Sequence, residues 1–180
     1  GLDGVQRALE PLKLKPVALG TVERNSVDVD AAVKAVLAAQ PEAVVQISAY
    51  KSCAAFIRAA RKAGYGGTFY NVSFVGTQAL ADELGKDGLG VVVSQVMPFP
   101  FSTTTPISRE YIDAVKRAGG DATPNYSSME GYVCAKVFAE GLKRAGNNPT
   151  REKLRTALES MQKVDIGGLE VSFGPRDHTG

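Results

Sequence analysis

The feature that most constrains this chain is a rhythm. In its first half, short β-branched runs recur about every 20 to 25 residues, each separated from the next by a stretch of helical period. Strands alternating with helices can only pair in parallel, because each helix carries the chain back to the starting edge before the next strand begins. The expected fold class is therefore α/β with a Rossmann-like parallel sheet. The pattern predicts an opening amphipathic helix, an apolar extended run over 16–22, and a helix over 28–40 with Val33, Val36 and Leu37 on one face. A strand over 43–48, a helix capped by Ser52 and running to 63, a strand over 68–73, a helix over 77–84 and a strand over 90–96 complete it.

The second half follows another pattern. The segment Met97-Pro98-Phe99-Pro100-Phe101-Ser102-Thr103-Thr104-Thr105-Pro106 carries three prolines, which forbid continued helix or a central strand, and reads as a crossover. Three helices follow, over 106–118, 126–145 and 149–161, with Thr105 and Asn148 each preceding a proline at the expected first helical position. Helix ends share one chemistry: Lys62-Ala63-Gly64, Lys116-Arg117-Ala118-Gly119 and Lys143-Arg144-Ala145-Gly146 place cations against the negative end of the helix dipole and a glycine at the left-handed turn. A turn and one alternating strand over 167–175 end the pattern. Helices in succession cannot complete a parallel sheet, and residues 1–9 resemble the middle of a helix without an initiator Met or signal segment. The expectation is that these residues are a portion of a longer chain.

Composition narrows the function by exclusion. Twenty-one basic and 19 acidic residues give a net charge of +2 with no block of like charge, which argues against nucleic-acid binding. No apolar run approaches the roughly 20 residues that span a bilayer. Cys53 and Cys134 are too few and too far apart for a zinc site or a disulfide scaffold, and both fall in predicted helices. The single histidine, His178, lies in Arg176-Asp177-His178-Thr179 and reads as an exposed turn. Gly85, Gly88 and Gly90 follow a helix and precede a strand, the reverse of the order a pyrophosphate loop requires, so no dinucleotide cofactor is expected. Glu23, Asp28, Asp82 and Glu83 have no spacing that favours paired acid–base work over solvated faces. No enzyme activity and no metal or other cofactor is expected.

A geometric rule then points to a binding region. In open parallel α/β sheets, small ligands sit beyond the carboxyl ends of the strands, here residues 22–25, 48–52 and 71–77. Tyr50, Ser73 and Phe74 offer a phenol, a hydroxyl and an aromatic wall there.

Several segments together resemble a family. Asp28-Val29-Asp30-Ala31-Ala32-Val33, Val44-Val45-Gln46-Ile47-Ser48-Ala49-Tyr50 leading to Phe56-Ile57-Arg58-Ala59-Ala60-Arg61-Lys62-Ala63-Gly64, the proline-rich crossover, Tyr126-Ser127-Ser128-Met129-Glu130-Gly131-Tyr132, and Gly167-Gly168-Leu169 with Val171-Ser172-Phe173-Gly174-Pro175 look like the C-terminal part of periplasmic leucine/isoleucine/valine-binding-type proteins. The resemblance implies a type I periplasmic binding fold in which two lobes close on a small molecule that an ABC permease then imports, in the periplasm or another extracytoplasmic compartment. It implies that residues 1–96 are most of the second ligand-binding lobe, 97–106 the hinge, and 107–180 helices and a strand returning to an incomplete first lobe. It places Tyr50 at a tyrosine lining the cleft, with Ala49 and Lys51 beside it. Ser73 falls where amino-acid-binding members carry a glutamate for the ligand's ammonium group, so the expected ligand is a carboxylate, an amide or an amino-acid-like molecule, with the standard amino acid disfavoured. A sensory ectodomain, the sugar-binding core of a regulator and a flavodoxin-like enzyme are the alternative readings.

Overall fold

The structure, a computed structural model, describes residues 1–179. The chain divides into two compact units, the first spanning Gly1–Val96 and the second starting at Met97.

The first unit contains α1 (Leu2–Leu9), α2 (Asp30–Leu37), β1 (Ala43–Gln46), α3 (Tyr50–Lys62), β2 (Thr68–Asn71), α4 (Thr77–Leu84) and β3 (Val91–Val93). The strands form a parallel sheet in the order β1-β2-β3, as the rhythm requires, with Ala43 beside Thr68, Gln46 beside Asn71 and Asn71 beside Val93. Alternation assigns the faces: Val44, Gln46, Phe69 and Asn71 are buried, whereas Val45, Tyr70 and Val92 on the other face are 44 to 50% exposed. The buried face packs on α2, α3 and α4. In α3, Ser52, Cys53, Ala54, Phe56, Ile57 and Ala60 fall on one stripe, small near the start and large in the middle. Ile57 and Phe69 are fully buried, and each contributes about 1.5 to 3 kcal/mol of transfer free energy. Phe69 meets Phe56 and Tyr65 edge-on with centroids 6.4 and 5.3 Å away, and the Arg61 guanidinium lies 5.4 Å from its centroid.

Several boundaries differ from the sequence reading. The run over 16–22 forms no strand, because a strand is defined by its ladder and no described residue pairs with it. It lies instead on α2, where a Cβ on Gly20 would sit 3.0 Å from the Ala32 carbonyl oxygen. Ser52 is not the cap of its helix. The helix begins at Tyr50 with Ala49 at the cap position in extended conformation, and Ser52 is buried, its hydroxyl donating to the Ser26 carbonyl at 2.6 Å.

The second unit contains α5 (Pro106–Ala118), α6 (Tyr126–Ala145), α7 (Arg151–Glu159) and a two-stranded antiparallel pair, β4 (Val164–Asp165) with β5 (Glu170–Val171). Each helix begins with a side-chain cap: the Thr105, Asn125 and Thr150 oxygens accept from the backbone N–H of Ser108, Ser128 and Lys153. Thr150, not Asn148, opens α7, which displaces Pro149 from the first turn. The predicted glycine stops hold, with φ of +88° at Gly64, +68° at Gly119 and +74° at Gly146. The sequence pattern foresaw one final strand, and its partner β4 was missed because two residues show no periodicity. Asp165 shapes the connection by accepting from the N–H groups of Gly168 and Gly167, which hold its carboxyl below its ordinary range. Ile107, Tyr111, Met129, Val133, Ile166 and Val171 form this unit's core.

Candidate functional site

Two loops leave the carboxyl ends of adjacent strands in the first unit. After β1, the segment Ile47-Ser48-Ala49 runs into α3, and after β2, Val72 leads to a 3-10 turn over Ser73–Val75 and then to α4. Because β1 and β2 are neighbours in register, the loops bearing Tyr50 and Ser73 emerge side by side. The expected site residues thus occupy one edge of one sheet. Tyr50 is half-buried at the first position of α3, and Lys51, the next residue, is exposed with its ammonium 5.9 Å from the Tyr50 ring centroid. Ala49 is half-buried. Ser73 is half-buried, and Phe74 presents its ring to solvent at 74% exposure.

The local sequence explains why these side chains stand where they do. Gly76, at φ +79° and ψ 85°, receives the chain from the 3-10 turn and opens α4, a left-handed position that a side chain would strain. Ala49 offers no side-chain oxygen to the first N–H groups of α3, so these are free of a side-chain cap. The third loop expected at this edge, over 22–25, is tied to the same helix start through the Ser52 hydrogen bond to Ser26. That loop is itself braced by Ser26 N–H donating to the Glu23 carbonyl at 3.0 Å and by Asp28 N–H donating to the Ser26 hydroxyl at 3.0 Å. Glu23 and Asp28 are exposed.

Sequence reasoning missed several groups at this edge. Gln46 and Asn71, the last residues of β1 and β2, are buried polar side chains. Gln95 donates to the Thr77 hydroxyl at 2.5 Å, joining the segment after β3 to the start of α4. For Gln46 and Asn71 the signal is the terminal position of each strand, but residue type alone does not reveal burial.

The remaining reactive groups lie elsewhere. Cys53 is buried in α3, and burial pushes its thiol up to about 11, whereas Cys134 is exposed and both are free. His178 is exposed, with its Nε2 3.2 Å from the Glu159 carboxylate. Among the described residues no cluster of histidine, cysteine and carboxylate groups could hold a metal ion, and no helix is long and apolar enough to cross a membrane.

A family model described as Periplasmic binding protein matches residues 1–180, and the chain belongs to that family. The chain is similar to the crystal structure of a possible leucine/isoleucine/valine-binding protein from Rhodopirellula baltica SH 1, at 31% identity and a TM-score of 0.89, covering 97% of this chain and 48% of that one. It is similar to a substrate-binding periplasmic protein from Ralstonia solanacearum at 33% identity and a TM-score of 0.87, covering 96% and 50%. A branched chain amino acid ABC transporter from Thermus thermophilus with bound valine shares the fold at 20% identity and a TM-score of 0.80, over 97% and 49%. The chain thus spans about half the length of these proteins. No curated protein matches it in sequence. The resemblance and the parallel α/β fold expected from the sequence are borne out, and the family is one of periplasmic binding proteins.

Proposed function

We propose that this chain is part of an extracytoplasmic solute receptor that closes its lobes on a small molecule and delivers it to an ABC permease in the membrane. In this reading, residues 1–96 supply one wall of the cleft, residues 97–106 the hinge, and the remainder returns to the other lobe. The observation that carries it is the emergence of Tyr50 and of Ser73 with Phe74 side by side at the carboxyl edge of the parallel sheet.

The chemistry of this wall selects among ligands. Phe74 and the Tyr50 ring face an apolar or aromatic body. Lys51 and the uncapped first turn of α3 attract negative charge. Ser73 supplies a neutral donor and acceptor where a carboxylate would be needed for an ammonium group. The ligand is therefore a carboxylate or amide bearing an apolar group. The alternative is a standard amino acid, as the valine bound to the Thermus thermophilus protein suggests, with Glu23 or Asp28 replacing the acid. Calorimetric titration of the intact, ligand-stripped protein with leucine and valine and with aromatic and aliphatic carboxylates and amides separates the two. The expected result is tightest binding among the carboxylates and amides. Submicromolar leucine or valine, with nothing tighter, overturns the ligand assignment.

A further inference from the structure

We propose that Gln46 and Asn71 are positioning residues: a buried polar pair, completed by an enclosed water molecule, that fixes the Tyr50 loop relative to the Ser73 loop. This deepens the reading of those loops as ligand-binding and rests on it.

The pair is the last layer of the sheet before the loops begin. Gln46 ends β1, Asn71 ends β2, and the two are register partners on the buried face, 8 and 3% exposed. Adjacent strands stand about 4.8 Å apart, so the two amides lie alongside each other. Three of their four polar atoms have no protein partner: Gln46 Oε1, Asn71 Nδ2 and Asn71 Oδ1. The fourth, Gln46 Nε2, donates to the Cys53 carbonyl in the first turns of α3 at 3.5 Å, the outer limit of such a bond. Buried polar groups in folded proteins are almost always paired. The orphaned set comprises one donor group and two acceptors, so the pair can close one bond on its own, Asn71 Nδ2–H to Gln46 Oε1. The Asn71 side-chain oxygen, Oδ1, then still needs a donor. These atoms are shut off from the surface, and we assign that donor to a water molecule enclosed with them, because buried waters characteristically serve otherwise unsatisfied buried polar groups.

The pair acts on the site through the elements it joins. The Gln46 amide reaches α3 within three residues of Tyr50, and the Cys53 thiol donates back to Ser48 in the same loop at 3.5 Å. The Asn71 carbonyl accepts from Ser94 N–H at 2.9 Å, so β3 is also drawn to this layer. Each loop is thus anchored one or two residues from its departure, and in the proposed arrangement a bond from Asn71 Nδ2–H to Gln46 Oε1, two atoms that otherwise have no partner, supplies the direct polar link between the two anchors. An apolar pair would fill the space without fixing the register of the loops, because apolar contact is not directional.

The test uses the intact protein and reads amide hydrogen exchange, with no ligand added, in wild type, Asn71→Leu, and the double variant Gln46→Met with Asn71→Leu. The single variant strands the Gln46 oxygen and lowers the unfolding midpoint. The double variant removes both partners and returns the midpoint close to wild type. In that stability-matched protein the amides of residues 47–50 and 72–76 exchange about 10-fold faster, while those of the α3 core are unchanged. Asn71→Ser, which keeps a donor and an acceptor and admits a second water, retains loop protection. A high-resolution crystal structure of the wild type shows a water within hydrogen-bond reach of Asn71 Oδ1. Wild-type loop exchange in the double variant, or a crystal structure in which that oxygen has no water, refutes the proposal. Faster loop exchange in a double variant that binds every titrated compound as tightly as wild type leaves the pair's positioning role standing and removes these loops from the ligand site.

Discussion

Replacing Ser73 by glutamate tests the ligand assignment most directly. Ser73 opens the 3-10 turn after β2, is half-buried, and holds that turn through its backbone, its carbonyl accepting from Gly76 N–H at 3.1 Å. The change therefore leaves the turn's own hydrogen bond in place, and the cost in stability should stay within about 0.5 kcal/mol, as at other partly exposed positions. The gain is electrostatic. A hydrogen bond to a charged group contributes about 1.5 to 3 kcal/mol, so a carboxylate meeting an ammonium group should tighten valine or leucine binding by about 10- to 150-fold. The same charge stands beside the anionic end of a simple carboxylate and should weaken binding of the carboxylates proposed as ligands. Isothermal titration of wild type and Ser73→Glu against valine and against an aliphatic carboxylate of matched size reads both effects. If valine affinity changes less than about twofold while the variant melts like wild type, Ser73 does not face the ligand's amino position and the reasoning fails.

Three further outcomes are expected. Tyr50→Ala should weaken ligand binding more than about twofold, roughly 0.5 kcal/mol, and an unchanged affinity by calorimetry would take Tyr50 out of the site. Tyr111→Phe removes a phenol that is 2% exposed and that accepts from the Asn125 N–H at 2.9 Å while contacting the Ser128 hydroxyl at 2.5 Å. With that N–H left unpaired at the start of α6, urea denaturation should show a loss of about 1 to 3 kcal/mol, and a loss below about 0.5 kcal/mol would mean that water replaces the phenol. At pH 8, iodoacetamide should modify Cys134 and spare Cys53, since a thiol at about 11 is only about 0.1% thiolate there; equal labelling of both in the folded protein would contradict the burial of Cys53.

Features that depend on neighbours along the chain are legible in the residues alone. The recurrence of strands fixed a parallel sheet, because a chain that returns through a helix can pair no other way. The helices Thr77–Leu84, Pro106–Ala118 and Tyr126–Ala145 lie where periodicity, prolines and glycine stops predicted them, since caps and stops act within a few residues. The carboxyl-edge positions of Tyr50, Ser73 and Phe74 followed from the same order of elements. Tertiary structure alone decided what depends on partners distant in sequence. The run over 16–22 has an apolar pattern but no ladder, because β structure exists only where a second strand supplies the hydrogen bonds. Ser52 looked like a helix cap and is instead a buried donor to Ser26, which lies 26 residues earlier. Gln46 and Asn71 read as ordinary polar residues until parallel register set them side by side under the loops. Residue type carries the capacity to hydrogen-bond; only the packing of the elements decides which groups are cut off from water and must find one another.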